Sequence, residues 1–176
     1  MVNLSKIAVL PAAKVSFVSK KGQVFKHQFV KWLKDNSDAW VMLVNFDAGS
    51  LPKLSELASA RLVLYVEEAH DKAPMQVAAL MLDAPFDADQ PYEFSRLGQS
   101  VGTTTVEKGT GAENSPPRRY EIDVTRAVRA WAGGANCHGL AVRIVPNRRV
   151  DDGWTVHFTP SNQKPAELEI ATYSEK

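Results

Sequence analysis

One cysteine and four histidines bound the nucleophilic and metal chemistry open to this chain. Cys137 and His138 are adjacent. A thiol nucleophile needs a base within hydrogen-bond reach, itself oriented by a third group. Neighbours in a turn point apart, so the pair reads as turn residues rather than a catalytic dyad. His27, His70, His138 and His157 show no ligand spacing, and no zinc site is expected. Glu67-Glu68 and Asp151-Asp152 are adjacent carboxylates. Glycoside hydrolysis needs two carboxyl groups facing each other across a sugar, whereas these pairs read as solvated strand ends. Gly109-Thr110-Gly111 lacks the lysine and following helix of a phosphate loop. The chain is expected to be no enzyme.

Two further chemistries have residues to serve them. Asp83, Asp87 and Asp89 fall in one loop and could donate some of the oxygens that a structural Ca²⁺ requires at about 2.3–2.6 Å. Without a spaced calcium-loop signature, a plain acidic loop is the simpler reading. Binding an acidic polysaccharide needs exposed aromatic rings together with Arg or Lys, which pair with sugar carboxylates through charge-assisted hydrogen bonds. Which residues can do this depends on the elements that carry them.

The 176 residues fit one domain with a substantial core of its own, 44% hydrophobic and 23% charged. A net charge of +1 supplies no general attraction to nucleic acid. A lone cysteine excludes an internal disulfide framework. Met1 to Leu10 does not read as a signal peptide, and no segment approaches membrane-spanning length.

Short β-branched runs separated by turn residues dominate the chain. Lys6–Pro11 and Ala13–Ser19 read as edge strands, because Pro11 argues against one central strand. Val24–Leu33 fits either a helix, with Phe25, Phe29 and Trp32 on one face, or a strand pair. Trp40–Asp47 is apolar on both faces and reads as a central strand, with Trp40 in the core beside Met42. Strands follow at Ala60–Glu67 and Met75–Leu82, then uncertain short strands from Tyr92 to Val106 around Gly98 and Gly102. From Tyr120 the pattern becomes strand, short helix, tight turn, strand. Val124, Val128 and Trp131 share a helix face, Asp123 or Thr125 caps its start, and Gly133-Gly134 ends it. Leu140, Val142 and Ile144 then line one face of the next strand, and Trp154–Thr159 and Ala166–Tyr173 close the chain. Many strands and one short helix near 125–132 predict an all-β fold, an antiparallel sandwich of jelly-roll type, as a single domain over 1–176.

Three pieces in order carry a family resemblance: Leu43-Val-Asn-Phe-Asp-Ala-Gly-Ser-Leu-Pro52 followed by Ser59-Ala-Arg-Leu-Val-Leu-Tyr65; Tyr120-Glu-Ile-Asp-Val-Thr125 with Val128, Trp131 and Gly134; and Val156-His-Phe-Thr-Pro-Ser161 with Pro165, Leu168 and Tyr173. Together they resemble the DNRLRE-type domains, jelly-roll modules of large secreted bacterial and archaeal proteins related to carbohydrate-binding modules for acidic polysaccharides such as alginate. The match covers about 40–173, with 1–39 as first strands. The resemblance implies an extracellular or cell-surface module, with neighbouring domains of a larger parent protein.

Strand parity selects candidates. If Leu62, Leu64, Val142, Ile144, Val156 and Phe158 face the core, then Arg61, Tyr65, Arg143 and His157 face away. Arg148 and Arg149 at a loop tip could extend an anion site, and Trp32, among Lys26, Lys31 and Lys34, is the aromatic expected to be exposed. The plain alternative is a solvated sheet face. The function expected is non-catalytic binding of an acidic polysaccharide. A structural or adhesive surface module with no glycan ligand is the alternative, and a glycan-active enzyme ranks last. Membrane and nucleic acid are not expected partners.

Overall fold

The computed structural model describes residues 4–32, 38–70, 74–107, 116–146 and 154–173. In chain order these form β1 (Leu4–Pro11), β2 (Lys14–Ser19), β3 (Val24–Phe25), β4 (Phe29–Trp32), β5 (Ala39–Asn45), β6 (Leu57–His70), β7 (Met75–Leu82), β8 (Leu97–Val106), β9 (Arg118–Asp123), α1 (Thr125–Ala132), β10 (Leu140–Ile144), β11 (Trp154–Phe158) and β12 (Glu167–Tyr173). Every strand pairing among them is antiparallel. The ladder runs β1-β12-β6-β11-β4-β5-β10-β7-β8, with β2 also on β5, β3 on β2 and β9 on β6. The sheet curls on itself, so that β12, β6 and β9 face β5, β10 and β7 across one core. This is the all-β, jelly-roll-type sandwich that the alternating strands predict.

Alternation puts one residue in two inward. Leu62, Leu64 and Val66 of β6, Leu168 and Ile170 of β12, and Ile122 of β9 meet Met42 and Val44 of β5 and Leu140, Val142 and Ile144 of β10. Each such aliphatic side chain, taken fully from water, contributes about 1.5–3 kcal/mol. The opposite parity explains why β5 is apolar on both faces. Val41 and Leu43 point outward, yet Phe86 and Tyr92, from the segment between β7 and β8, pack over them together with Leu80 and Ala141. Tyr92 fixes that cover by donating its hydroxyl to the Ala84 carbonyl at 2.8 Å.

Helix α1 forms as its spacing predicts. Val124, Val128 and Trp131 are all buried against the core. Val124 occupies the cap position, and the Asp123 carboxylate accepts the Thr125 N–H at 2.9 Å. The Thr125 hydroxyl accepts the Ala60 N–H at 3.0 Å, tying the helix to β6. Gly133 closes the last turn onto the Arg129 carbonyl, and Gly134 follows at φ +108°, where a side chain would be strained.

The first third of the chain corrects the sequence reading at β2 and at two tryptophans, and decides one stretch that it left open. β1 is an edge strand, but β2 lies between β3 and β5. The described part of Val24–Leu33, residues 24–32, holds two short strands and no helix, but they do not pair with each other: β3 pairs with β2, and β4 bridges β11 to β5. The two tryptophans also exchange roles. Trp32 is 6% exposed and belongs to the core, where it is the ladder partner of Trp154. Trp40 keeps the parity of Met42 but sits at the start of β5, on the rim, and is half-buried. Between Tyr92 and Val106 a single strand, β8, replaces the expected short ones. Gly98 and Gly102 lie inside it, with register shifts against β7.

Candidate ligand-binding site

The residues singled out by parity do face away from the core, but on three separate surfaces. Arg61 and Tyr65 lie on the outer face of the β12-β6-β9 layer. Arg61 is ladder partner to Glu169 on one side and to Asp123 on the other. Its guanidinium donates to Glu121 at 3.0 Å. Arg119 donates to both Glu121 and Glu169. Tyr65 donates its hydroxyl to Glu167 at 3.1 Å, while the Lys164 ammonium stands 4.4 Å from its ring centre. Partial burial and the Glu167 carboxylate push the Tyr65 phenol above its ordinary value, so it stays a donor. The Arg119 guanidinium holds the Glu121 carboxyl below its ordinary value, and Arg61 adds to this. This face is therefore a network of mutually satisfied ion pairs, with Val63 buried in the middle of β6. An anion arriving there would first have to displace a protein carboxylate.

His157 lies at the sandwich corner, opposite Phe29 in the β11–β4 ladder, with ring centres 5.2 Å apart. Phe29 meets Trp40 at 4.5 Å, and Trp40 stacks on Phe25 at 3.8 Å. The Trp40 indole N–H donates to Asp38 at 2.9 Å, and the Lys31 ammonium lies 5.4 Å from its ring centre. This aromatic cluster uses its rings on one another. Trp32, expected to be the exposed platform, does not join it, because its parity in β4 matches Val30 and turns it inward.

Arg143 occupies the third surface. In β10 it shares the outward parity of Ala141, but it lies beyond the reach of Phe86 and Tyr92, opposite Ala78 in the ladder. Here the covering segment stops short and leaves a cleft of about 400 Å³. Phe94, Leu97 and Leu80 supply its apolar lining, and Lys20, Lys31 and Arg143 its charge. Among the described residues that line it, none is a carboxylate. Topology brings the three cations together. Lys20 follows β2, and its backbone N–H donates to the Ala39 carbonyl at 2.8 Å, while Lys31 is ladder partner to Trp40. One lining residue, Arg143, carries a buried Nε–H with no acceptor among the described residues. A buried donor left unpaired costs about 1–3 kcal/mol, more when charged. A cleft of this volume is in the ordinary range for small-ligand sites.

Asp83, Asp87 and Asp89 are exposed along their loop. Among the described residues no group of three or more His, Cys, Asp or Glu side chains is placed to hold a metal ion. Cys137 is half-buried, its thiol 3.4 Å from the Asn45 side-chain oxygen, and burial pushes it up to about 11. Raised this far, the thiol is held protonated at neutral pH. Arg148, Arg149, Asp151-Asp152 and Gly109-Thr110-Gly111 lie outside the described residues.

Parity found the direction of Arg61, Tyr65, Arg143 and His157, but it could not tell that they sit on different layers. Lys20 and Lys31 were missed as partners of Arg143. No local signal marks them, since three strands from distant parts of the chain must pair before they meet. No protein-family model matches the chain, and no curated protein sequence matches it.

Proposed function

We propose that this domain is a non-catalytic carbohydrate-binding module for an acidic polysaccharide, and that the uronate carboxylates of the chain enter the cleft at Arg143. One observation carries the reading: Lys20, Lys31 and Arg143 converge on one cleft whose described lining residues include no carboxylate. The buried Nε–H of Arg143 has no acceptor among the described residues. A sugar carboxylate supplies oxygens to such cations through charge-assisted bonds roughly twice as strong as neutral ones. Phe94 and Leu97 offer an apolar wall for a sugar ring. Arg61 and Tyr65 are already satisfied by Glu121 and Glu167, so they serve the integrity of their sheet face. The resemblance to DNRLRE-type domains points the same way and implies an extracellular or cell-surface setting beside other domains.

Calorimetry against alginate, pectate, a sulfated glycan and a neutral glucan, with and without Ca²⁺, tests this. Binding confined to the acidic chains and weakened by added salt is the expected result. Equal binding to the neutral glucan, or none to any of them by the folded protein, would refute it.

A further inference from the structure

Among the described residues β1 ends the ladder, with β12 on one side and no strand on the other. Ala12, just beyond β1, donates its backbone N–H to the Ala166 carbonyl at 2.9 Å. The β1–β12 register continues that pairing without a slip through Leu10↔Leu168 and Ala8↔Ile170 to Lys6↔Thr172. In an antiparallel ladder, hydrogen-bonded pairs alternate with non-bonded ones. Lys6, Ala8 and Leu10 therefore direct their N–H and C=O groups to β12, and Ile7, Val9 and Pro11 direct theirs outward. Pro11 fits this assignment, because its missing N–H falls on the open side, where no ladder bond is lost. Among the described residues β12 is the only strand that pairs with β1.

The side chains agree with the backbone. Ile7 is 68% exposed and Val9 50%, the two most exposed large apolar residues described. Soluble proteins usually blunt an edge with charge or irregularity, because unpaired backbone groups beside apolar side chains template another strand. β8, at the far end of the ladder, is covered: it runs so close to β9 that a Cβ on Gly102 would meet the Asp123 carbonyl oxygen at 2.1 Å.

We propose that β1 pairs antiparallel with β1 of a second copy about a twofold axis through Ala8. In that register Ile7 exchanges both backbone hydrogen bonds with Val9 of the other copy, and Val9 with its Ile7. Four hydrogen bonds form, and the four apolar side chains meet on one face with Cα atoms about 5.5 Å apart. No like charges are brought opposite each other. The outer-face neighbours of Ile7 and Val9 on β12 are Ala171 and Glu169, and Arg119 already holds Glu169. Centring on Val9 instead would set Ile7 against Pro11, which has no N–H to give. Centring on Ile7 would set Val9 against Ser5 and lose one apolar pair. A strand pair this short falls below the roughly 1,200–2,000 Å² of a stable complex. The dimer is therefore weak and concentration-dependent, and it forms independently of the cleft.

Sedimentation equilibrium from micromolar to millimolar protein tests the proposal on the wild type and on a variant with Ile7→Lys and Val9→Lys, which sets like charges opposite each other across the axis. The wild type associates reversibly, and the variant, whose melting curve checks its fold, does so at least tenfold more weakly. In a Cys137→Ser background, Ala8→Cys forms an intermolecular disulfide on oxidation, because residues on the axis lie about 4.5 Å apart, within disulfide range. Lys6→Cys in the same background does not. A wild type that stays monomeric throughout, a dimer that tolerates both lysines, or equal cross-linking at positions 6 and 8 would overturn the proposal.

Discussion

At Gly102 the two layers of the sandwich come into close backbone contact, and replacing it with alanine tests the packing directly. A Cβ at that position would lie 2.1 Å from the Asp123 carbonyl oxygen and 3.0 Å from Ile122 Cγ2. Ordinary contact begins near 3.4 Å, so β8 and β9 must separate by about 1 Å or more. Neither neighbour can swing aside. One is backbone at the end of β9, just before α1, and the other is a fully buried core side chain. Overpacking of this kind costs about 1–3 kcal/mol. Against it stands the gain of about 0.4–1 kcal/mol from a stiffer unfolded chain when glycine is replaced. Gly102→Ala is therefore expected to lose about 1.3 kcal/mol, which lowers Tm by roughly 3–5 °C in a chain of this size. Gly49→Ala is the control. Its Cβ meets only the exposed Asp47 carboxylate, at 3.3 Å, so its effect stays within about 0.5 kcal/mol. Urea unfolding at a common m-value measures both. A Gly102→Ala protein within 0.5 kcal/mol of wild type would refute the close crossing of β8 over β9.

Other predictions follow from the same contacts. Cys137, pushed by burial from an ordinary 9.0 to about 11, should react with a thiol reagent at pH 8 about a hundredfold more slowly than an ordinary cysteine, and become fast once unfolded; a native rate equal to the unfolded one would contradict its placement. Arg119 and Arg61 hold the Glu121 carboxyl below its ordinary 4.5, and bonds from Thr125 hold Asp123 below its ordinary 3.8. In both cases the unfolded chain takes up its proton first as pH falls. Their contribution is thus complete above those ordinary values and is lost as pH drops through the depressed folded values. Glu121→Gln should be less stable than wild type at pH 7 by thermal melting, with the gap closing below about pH 4; a gap constant from pH 3 to 7 would rule out the ion-pair origin.

Much of the fold was legible because burial imposes a period of two on a strand. Leu62, Leu64, Leu140, Val142, Leu168 and Ile170 could be assigned inward from alternation alone. The helix was legible from Val124, Val128 and Trp131 for the same reason at a different period. What failed was whatever depends on position within the sheet rather than along the strand. Trp40 has core parity but lies at a rim, and Trp32 sits among lysines yet faces Trp154. Asp83 to Pro91 reads as polar loop and the residues from Tyr92 on as short strands, although Phe86 and Tyr92, with Phe94 packed against them, make this segment the lid of a second apolar cluster. The candidate site was half legible. Arg143 was found by parity. Its separation from Arg61, and its company of Lys20 and Lys31, follow from strand order, which no local pattern encodes.

The central claim, that an acidic sugar chain is held at Arg143 and not at Arg61, is tested most directly by titrating one acidic oligosaccharide into wild type, Arg143→Gln and Arg61→Gln by calorimetry at fixed ionic strength. Losing a charged hydrogen-bonding partner is worth about 1.5–3 kcal/mol, so Arg143→Gln should weaken binding by roughly ten- to a hundredfold, while Arg61→Gln leaves it within about threefold. A large loss in Arg61→Gln with Arg143→Gln unchanged would contradict the account and return the site to the ion-paired face.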